Sequence, residues 1–229
     1  MNATETPLRI IAVGAVKHAL QHLLRTPGLP EATASFDTVG GARDKVLAGT
    51  PCDLVIASDP ALDILREAGR LAGERLALGR TGLGFAVPEG AAPLDTSSPA
   101  AIVATLRAAP RIAMADPASG ATAGKHFQGI LDQLGLTDTL APKITRHANG
   151  MLAVAEVVEG RASIAVSQMT EIVPVPGVDL GGTLPEAMQL WTVYTASLAA
   201  GGDARAGAWL ALFGSPAGQE AFAATGFVA

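Results

Sequence analysis

The densest run of chemistry-bearing residues is Asp116–His126, DPASGATAGKH, set between the strand-like Arg111–Ala115 and the helix-patterned Ala123–Leu134. Gly120 and Gly124 permit tight turns, and Ser119 and Thr122 bring hydroxyl donors. The first N–H groups of the following helix have no intrahelical partner, so the combination is a ready anion site. It equally suits an ordinary Ser/Thr-capped helix start. Spacing argues against a triphosphate loop, which needs about four residues between its glycines and then Lys-Ser/Thr. Here three residues separate Gly120 from Gly124, and Lys125 precedes His126.

Related loops recur along the chain. Gly14-Ala15-Val16-Lys17 follows the first strand-like run, Thr38-Val39-Gly40-Gly41 the second, and Asn149-Gly150 opens a helix after Lys143–Thr145. Ligands of open α/β sheets sit beyond the carboxyl ends of the strands, where such loops lie. Candidate ligand-binding residues are thus Ala15, Val16 and Lys17 in the first loop, and Thr38 and Gly40 in the second. Ser119, Thr122 and Ala123 follow in the third, Gly150 in the fourth, and Gln168 just after the strand-like Ile164–Val166. Glu171, Lys17 and His126 are the candidates for moving a proton, since each type can act as general acid or base. Lys17 equally suits a solvated helix turn, and His126 a surface or capping role.

His18 and His22 stand four residues apart on one helix face, yet no glutamate of the zinc-protease pattern and no nearby third ligand accompanies them. No metal site and no cofactor is expected. Cys52 is the single cysteine, which removes intrachain disulfides and thiolate clusters and reads as a small buried hydrophobe. Neither a G-x-S-x-G elbow nor a complete dinucleotide fingerprint is present.

Positioning these loops requires a packed α/β scaffold. In 229 residues, 49% are hydrophobic and 16% charged, with aromatics at 4%, so the core must be built from Ala, Val, Ile and Leu. The net charge of −5 argues against a nucleic-acid surface. No apolar stretch suffices for a membrane span. The polar start MNATETP has no basic or apolar leader region. Read as it stands, the chain is expected in the cytoplasm, or in the periplasm if a signal has been removed.

Leu8–Val13, Thr33–Phe36, Leu54–Ala57, Leu83–Val87 and Arg111–Ala115 read as strands. Between and after them, Val16–Leu24, Gly41–Leu47, Pro60–Ala68, Pro99–Ala108, Ala123–Leu134 and Gly150–Glu159 carry helix spacing. Such alternation implies mostly parallel sheets with helices on both faces. Arg75–Val87 and Leu184–Ala196 break it as two long extended segments, the number a chain needs to cross between lobes and return. Lobe 1 is read as residues 1–82 and 190–229, lobe 2 as 83–189, with a ligand cleft between them.

Nearly the whole chain resembles the molybdate-binding-protein-like branch of the type II bacterial solute-binding proteins. The resemblance runs through IAVGAVKHAL at 11–20, CDLVIASDP at 52–60, ADPASGATAGKHF at 115–127, and the long block from Val158 to Ala196. It ends in SPAGQEAFAATGF. It implies the two-lobed type II periplasmic-binding-protein fold, lobes joined by two crossing strands, closing by a hinge on a small anion. Molybdate binders of that branch carry serines in the first two loops and a tyrosine in the second lobe; here Ala15, Val39 or Gly40, and Gln168 stand in those places. Because molybdate accepts hydrogen bonds at every oxygen, the resemblance implies a di- or tricarboxylate instead.

Gln168-x-x-Glu171 with IVPVPG at 172–177 resembles a subgroup that includes an aconitate isomerase. Two readings follow. One is a binding protein, with a transporter as partner only if exported. The other is a cofactor-free isomerase that shifts a proton in an unsaturated polycarboxylate such as aconitate, with helix N-termini stabilising the delocalised charge. Neither reading involves nucleic acid or membrane insertion.

Overall fold

A computed structural model describes residues 6–228. The first five residues of the polar start lie outside them. Two compact units divide the chain, Met1–Arg80 with Val193–Ala229, and Thr81–Thr192.

The first unit opens with β1 (Leu8–Val13), α1 (Lys17–Leu23), β2 (Ala32–Asp37), α2 (Val39–Leu47), β3 (Leu54–Ser58), α3 (Asp59–Glu67) and the long β4 (Leu71–Thr81). Second come β5 (Leu83–Pro88), α4 (Pro99–Ala108), β6 (Ile112–Ala115), α5 (Thr122–Gln133), α6 (Thr137–Leu140), β7 (Ile144–His147), α7 (Gly150–Val158), β8 (Ile164–Gln168) and β9 (Val178–Thr183). The chain returns through β10 (Thr192–Ala199) and ends in α8 (Gly207–Gly214) and α9 (Pro216–Ala223).

Both sheets have five strands, ordered β2-β1-β3-β10-β4 and β7-β6-β8-β5-β9. They are mixed. β1 is parallel to β2 and β3, and β6 to β7 and β8. β10 runs antiparallel to β3, and β5 antiparallel to β8 and β9. The inner strands β1, β3, β6 and β8 are buried on both faces because helices cover both; of their residues only Arg9 in β1 is exposed. Trp209, Phe213 and Phe222 of the two last helices complete the first core. Asp53 pins this unit's edge, accepting from the backbone N–H groups of Arg9 at 2.7 Å and Asp203 at 3.1 Å. Burial alone would push its carboxyl up, but those bonds and the Arg9 guanidinium outweigh it and hold the carboxyl below the ordinary range.

Two expected extended segments are reshaped. Arg75–Val87 is broken at Gly82, which separates β4 in one sheet from β5 in the other. Leu184–Ala196 becomes a strand only at Thr192; the preceding stretch holds a short 3₁₀ turn, Glu186–Met188. There Gln189 stands in for a strand. Its Oε1 accepts from Leu83 N at 2.7 Å, and its Nε2 donates to Leu83 O at 2.9 Å. An alanine Cβ at Gly82 would come within 2.6 Å of that amide, so Gly82 leaves room for it.

Candidate anion-binding site

In each sheet the connections reverse direction beside one strand. β1 leads to β2 on one side while β3 lies on the other, and β6 is flanked by β7 and β8 in the same way. The loops leaving the carboxyl ends of two such strands diverge, which makes a crevice for ligands. In the second unit the strands are β6 and β8. Their loops carry the Asp116–His126 run and Gln168–Glu171.

The loop after β6 is shaped by its own polar groups. Asp116 accepts from Ala118 N at 2.9 Å; the Ser119 hydroxyl donates to Asp116 O at 2.7 Å and accepts from Ala121 N at 3.4 Å. Ser119 thus shapes the turn. Gly120 adopts φ 82°, a left-handed conformation that favours glycine. The helix then begins without a side-chain cap, because its N-cap is Ala121. Gly124 lets its first turn press on the Ala115 carbonyl, where an alanine Cβ would collide. Thr122 and Ala123 therefore present their N–H groups at the end of β6 with no capping acceptor supplied by Ala121.

At the end of β8, alternation puts Gln168 on the face of Ile164 and Val166, in the core shared with Ala123 and Phe127 of α5. Gln168 is only 3% exposed, and its Oε1 has no hydrogen-bond partner; the fully buried Thr170 Oγ1 also lacks one. Buried polar atoms are rarely left unpaired, which singles out this strand end. Ser167, on the opposite face, donates to Glu171 Oε2 in a short, buried hydrogen bond. Burial pushes the Glu171 carboxyl up, and the Ser167 hydroxyl and Gln168 N–H offset this only in part. Gly150 opens α7 directly over the pair, and Asn149 caps the helix by accepting from Leu152 N at 3.0 Å.

Two of the four expected helix starts are thus already served by the protein. At α7 the server is Asn149. At α2 the Thr38 hydroxyl accepts from Gly41 N at 3.1 Å, and the Asp37 carboxylate lies against the Gly41 Cα. Thr38 and Gly40 do not form an open loop, since the helix begins at Val39. Asp37 also pairs with Lys45 at 2.8 Å, and although burial opposes it, that pairing and the Thr38 N–H hold its carboxyl below the usual range. The uncapped starts are α5 and, in the first unit, the 3₁₀ turn Gly14–Val16 leading into α1. Ala15 and Val16 are buried there, and Lys17 Nζ lies 6.0 Å from the Phe36 ring centroid.

Other candidates fall elsewhere. His126 Nε2 donates to Met188 O at 2.7 Å, which ties α5 to the segment before β10. Burial and Lys17 both lower the His18 imidazole, and no cluster fit for a metal occurs among the described residues. A cavity of about 340 Å³ lined by Val87, Leu94, Thr105 and Ser163 lies in the second unit, but its two hydroxyls are bonded to backbone carbonyls. Sequence reasoning missed Ser167 and Thr170, and in the first unit Ser58 and Asp59 at the end of β3, where Thr195 Oγ1 donates to Asp59 Oδ1 at 2.6 Å. A hydroxyl's burial depends on strand pairing, which local sequence does not encode.

A family profile described as bacterial extracellular solute-binding protein matches residues 8–228. The chain belongs to this family. Over 163 residues this solute-binding protein is 29% identical to an aconitate isomerase from Pseudomonas sp, covering 71% of the chain and 61% of that relative. The match therefore spans less than two thirds of the relative's length. The periplasmic molybdate-binding protein of Azotobacter vinelandii superposes with a TM-score of 0.76 at 19% identity, covering 97% of this chain and 99% of that one. The sulfate-binding protein of Mycobacterium tuberculosis H37Rv gives 0.71 at 16%, covering 97% and 86%. These likenesses establish the two-lobed type II periplasmic-binding-protein fold expected from the sequence. No helix of the described residues is long and apolar enough to cross a membrane.

Proposed function

We propose that this solute-binding protein holds a small polycarboxylate anion at the carboxyl edge of its second sheet, on the N–H groups that open α5. The observation that carries the reading is the pairing of that uncapped helix start with the buried, unpartnered Gln168 Oε1 on the same face of the sheet. The N–H groups attract negative charge. The Gln168 side-chain amide brings both an acceptor and a donor to that place. A deprotonated metal oxyanion brings acceptors only, while a carboxylic ligand can also carry an O–H, from a hydroxyl or a protonated carboxyl.

A second reading is favoured by Glu171, a buried carboxyl with no cation beside it, and by the aconitate isomerase relative. In it, Glu171 moves a proton between carbons of an unsaturated polycarboxylate while the α5 start holds a carboxylate as charge delocalises into it. One experiment separates the two. Citrate, cis-aconitate, sulfate and molybdate are screened by thermal shift, and each binder is then incubated with protein in D2O and followed by NMR. The binding reading expects stabilisation by a polycarboxylate whose spectrum stays unchanged. Deuterium incorporation or isomer interconversion selects the isomerase. Stabilisation by molybdate or sulfate alone contradicts both.

A further inference from the structure

We propose that the second unit takes up its anion together with a proton from solvent, and that Glu171 holds this proton. The inference rests on the anion reading above and adds its regulation. Glu171 is 8% exposed, and the bonding partners of its carboxyl are the Ser167 hydroxyl and the Gln168 N–H. α7 and β5 pack against the turn that carries it. On α7 the only titratable group is Glu156, which faces Arg161 at 2.7 Å, and β5 and β8 have none. In the adjoining loops Asp116 is bound by Ala118 N, and His147 Nε2 contacts Thr145 Oγ1. No cation among these elements pairs with Glu171, so only the first turn of α7, which lies against its carboxyl, relieves a charge there.

Asp37 shows the contrasting solution. It occupies the corresponding place against Gly41 in the first unit, with Lys45 to pair it. Glu171 and the ligand would be two negative charges at one sheet edge, relieved by helix starts and hydrogen bonds but by no cation, and protonation of Glu171 removes their repulsion. The Ser167 hydroxyl tolerates both states. It donates to the carboxylate Oε2 and can accept from the carboxylic O–H after rotation. The step balances: one solvent proton joins Oε2 as the anion enters, and it leaves with the anion.

The test measures the affinities of citrate, cis-aconitate, sulfate and molybdate calorimetrically between about pH 5.5 and about pH 8, a window set around ordinary and raised carboxyl values. Wild-type affinity for a binding probe is expected to fall with rising pH, by up to about tenfold per unit for one linked proton. In Glu171→Gln the Glu171-linked part of this fall disappears; ionisation of the probe itself is common to both proteins and cancels in the comparison. A wild-type profile that matches the variant's defeats the proton coupling and leaves the anion reading standing. Binding by none of the four defeats both. Should Glu171→Gln fail to fold, infrared difference spectra of the wild type decide. A carbonyl band of a protonated, buried carboxyl that grows on adding the binding probe supports the coupling, and its absence overturns it.

Discussion

Gly150→Ala is expected to lower stability by about 2–4 kcal/mol in urea or thermal unfolding. Alanine ordinarily strengthens a helix, by about 0.5–1 kcal/mol over glycine, so propensity alone predicts the opposite sign. Packing reverses it. A Cβ at this position falls on Ser167 Oγ and Glu171 Oε2, both buried, with the Glu171 Cδ only 3.1 Å away. The new methyl must either lift the first turn of α7 or break the Ser167–Glu171 bond, leaving a buried carboxyl without its donor. Gly129→Ala is the control. It lies within α5 with nothing within 4 Å of an added methyl, so it should stabilise by about 0.5–1 kcal/mol. Equal effects at the two glycines would remove the argument that Gly150 exists to let Glu171 approach the helix.

The second large effect is on binding. Thr122→Pro should weaken a binding polycarboxylate by about tenfold or more, the cost of losing a hydrogen bond to a charged group. Stability should change little, because Thr122 is the first residue of α5, where proline is accommodated. The preceding Ala121 already has φ −72° and ψ 126°, the extended backbone a following proline prefers. Thr122→Ala separates the groups: it keeps the N–H and drops the hydroxyl. Full loss in the proline variant with little loss in the alanine variant assigns the contact to the backbone. Retained affinity in Thr122→Pro would take this N–H out of the site.

Much of the scaffold was legible because it follows from periodicity. Leu8–Val13 and Ile112–Ala115 are short apolar runs between glycine or polar turns, and they fold as inner strands of their sheets. The Asp116–His126 run was recognisable as a helix start at a strand end, since glycine and hydroxyl residues there report on local backbone. What local pattern did not reveal is which starts the protein itself occupies. Thr38–Gly41 looked like an open glycine loop, but Gly41 is small so that Asp37 can lie against the helix. Ser119 looked like a ligand donor, and its hydroxyl turns back to Asp116 O at 2.7 Å. Ser167 went unnoticed because its burial arises from the pairing of β8 with β5, and Thr170 because the turn after β8 packs on α7 and β5, all far apart in sequence. Gln168 was noticed by its place at a strand end, and its unpaired oxygen required the fold.

The central claim is that an anion sits on the N–H groups opening α5. Titrating ¹⁵N-labelled protein with citrate and cis-aconitate, and following every backbone amide, tests it most directly. The account predicts that the amides of Thr122 and Ala123 shift strongly and saturably, together with the Gln168 side-chain amide, while the Gly41 amide already bonded to Thr38 stays nearly still. Saturable binding that leaves Thr122 and Ala123 unmoved would contradict it.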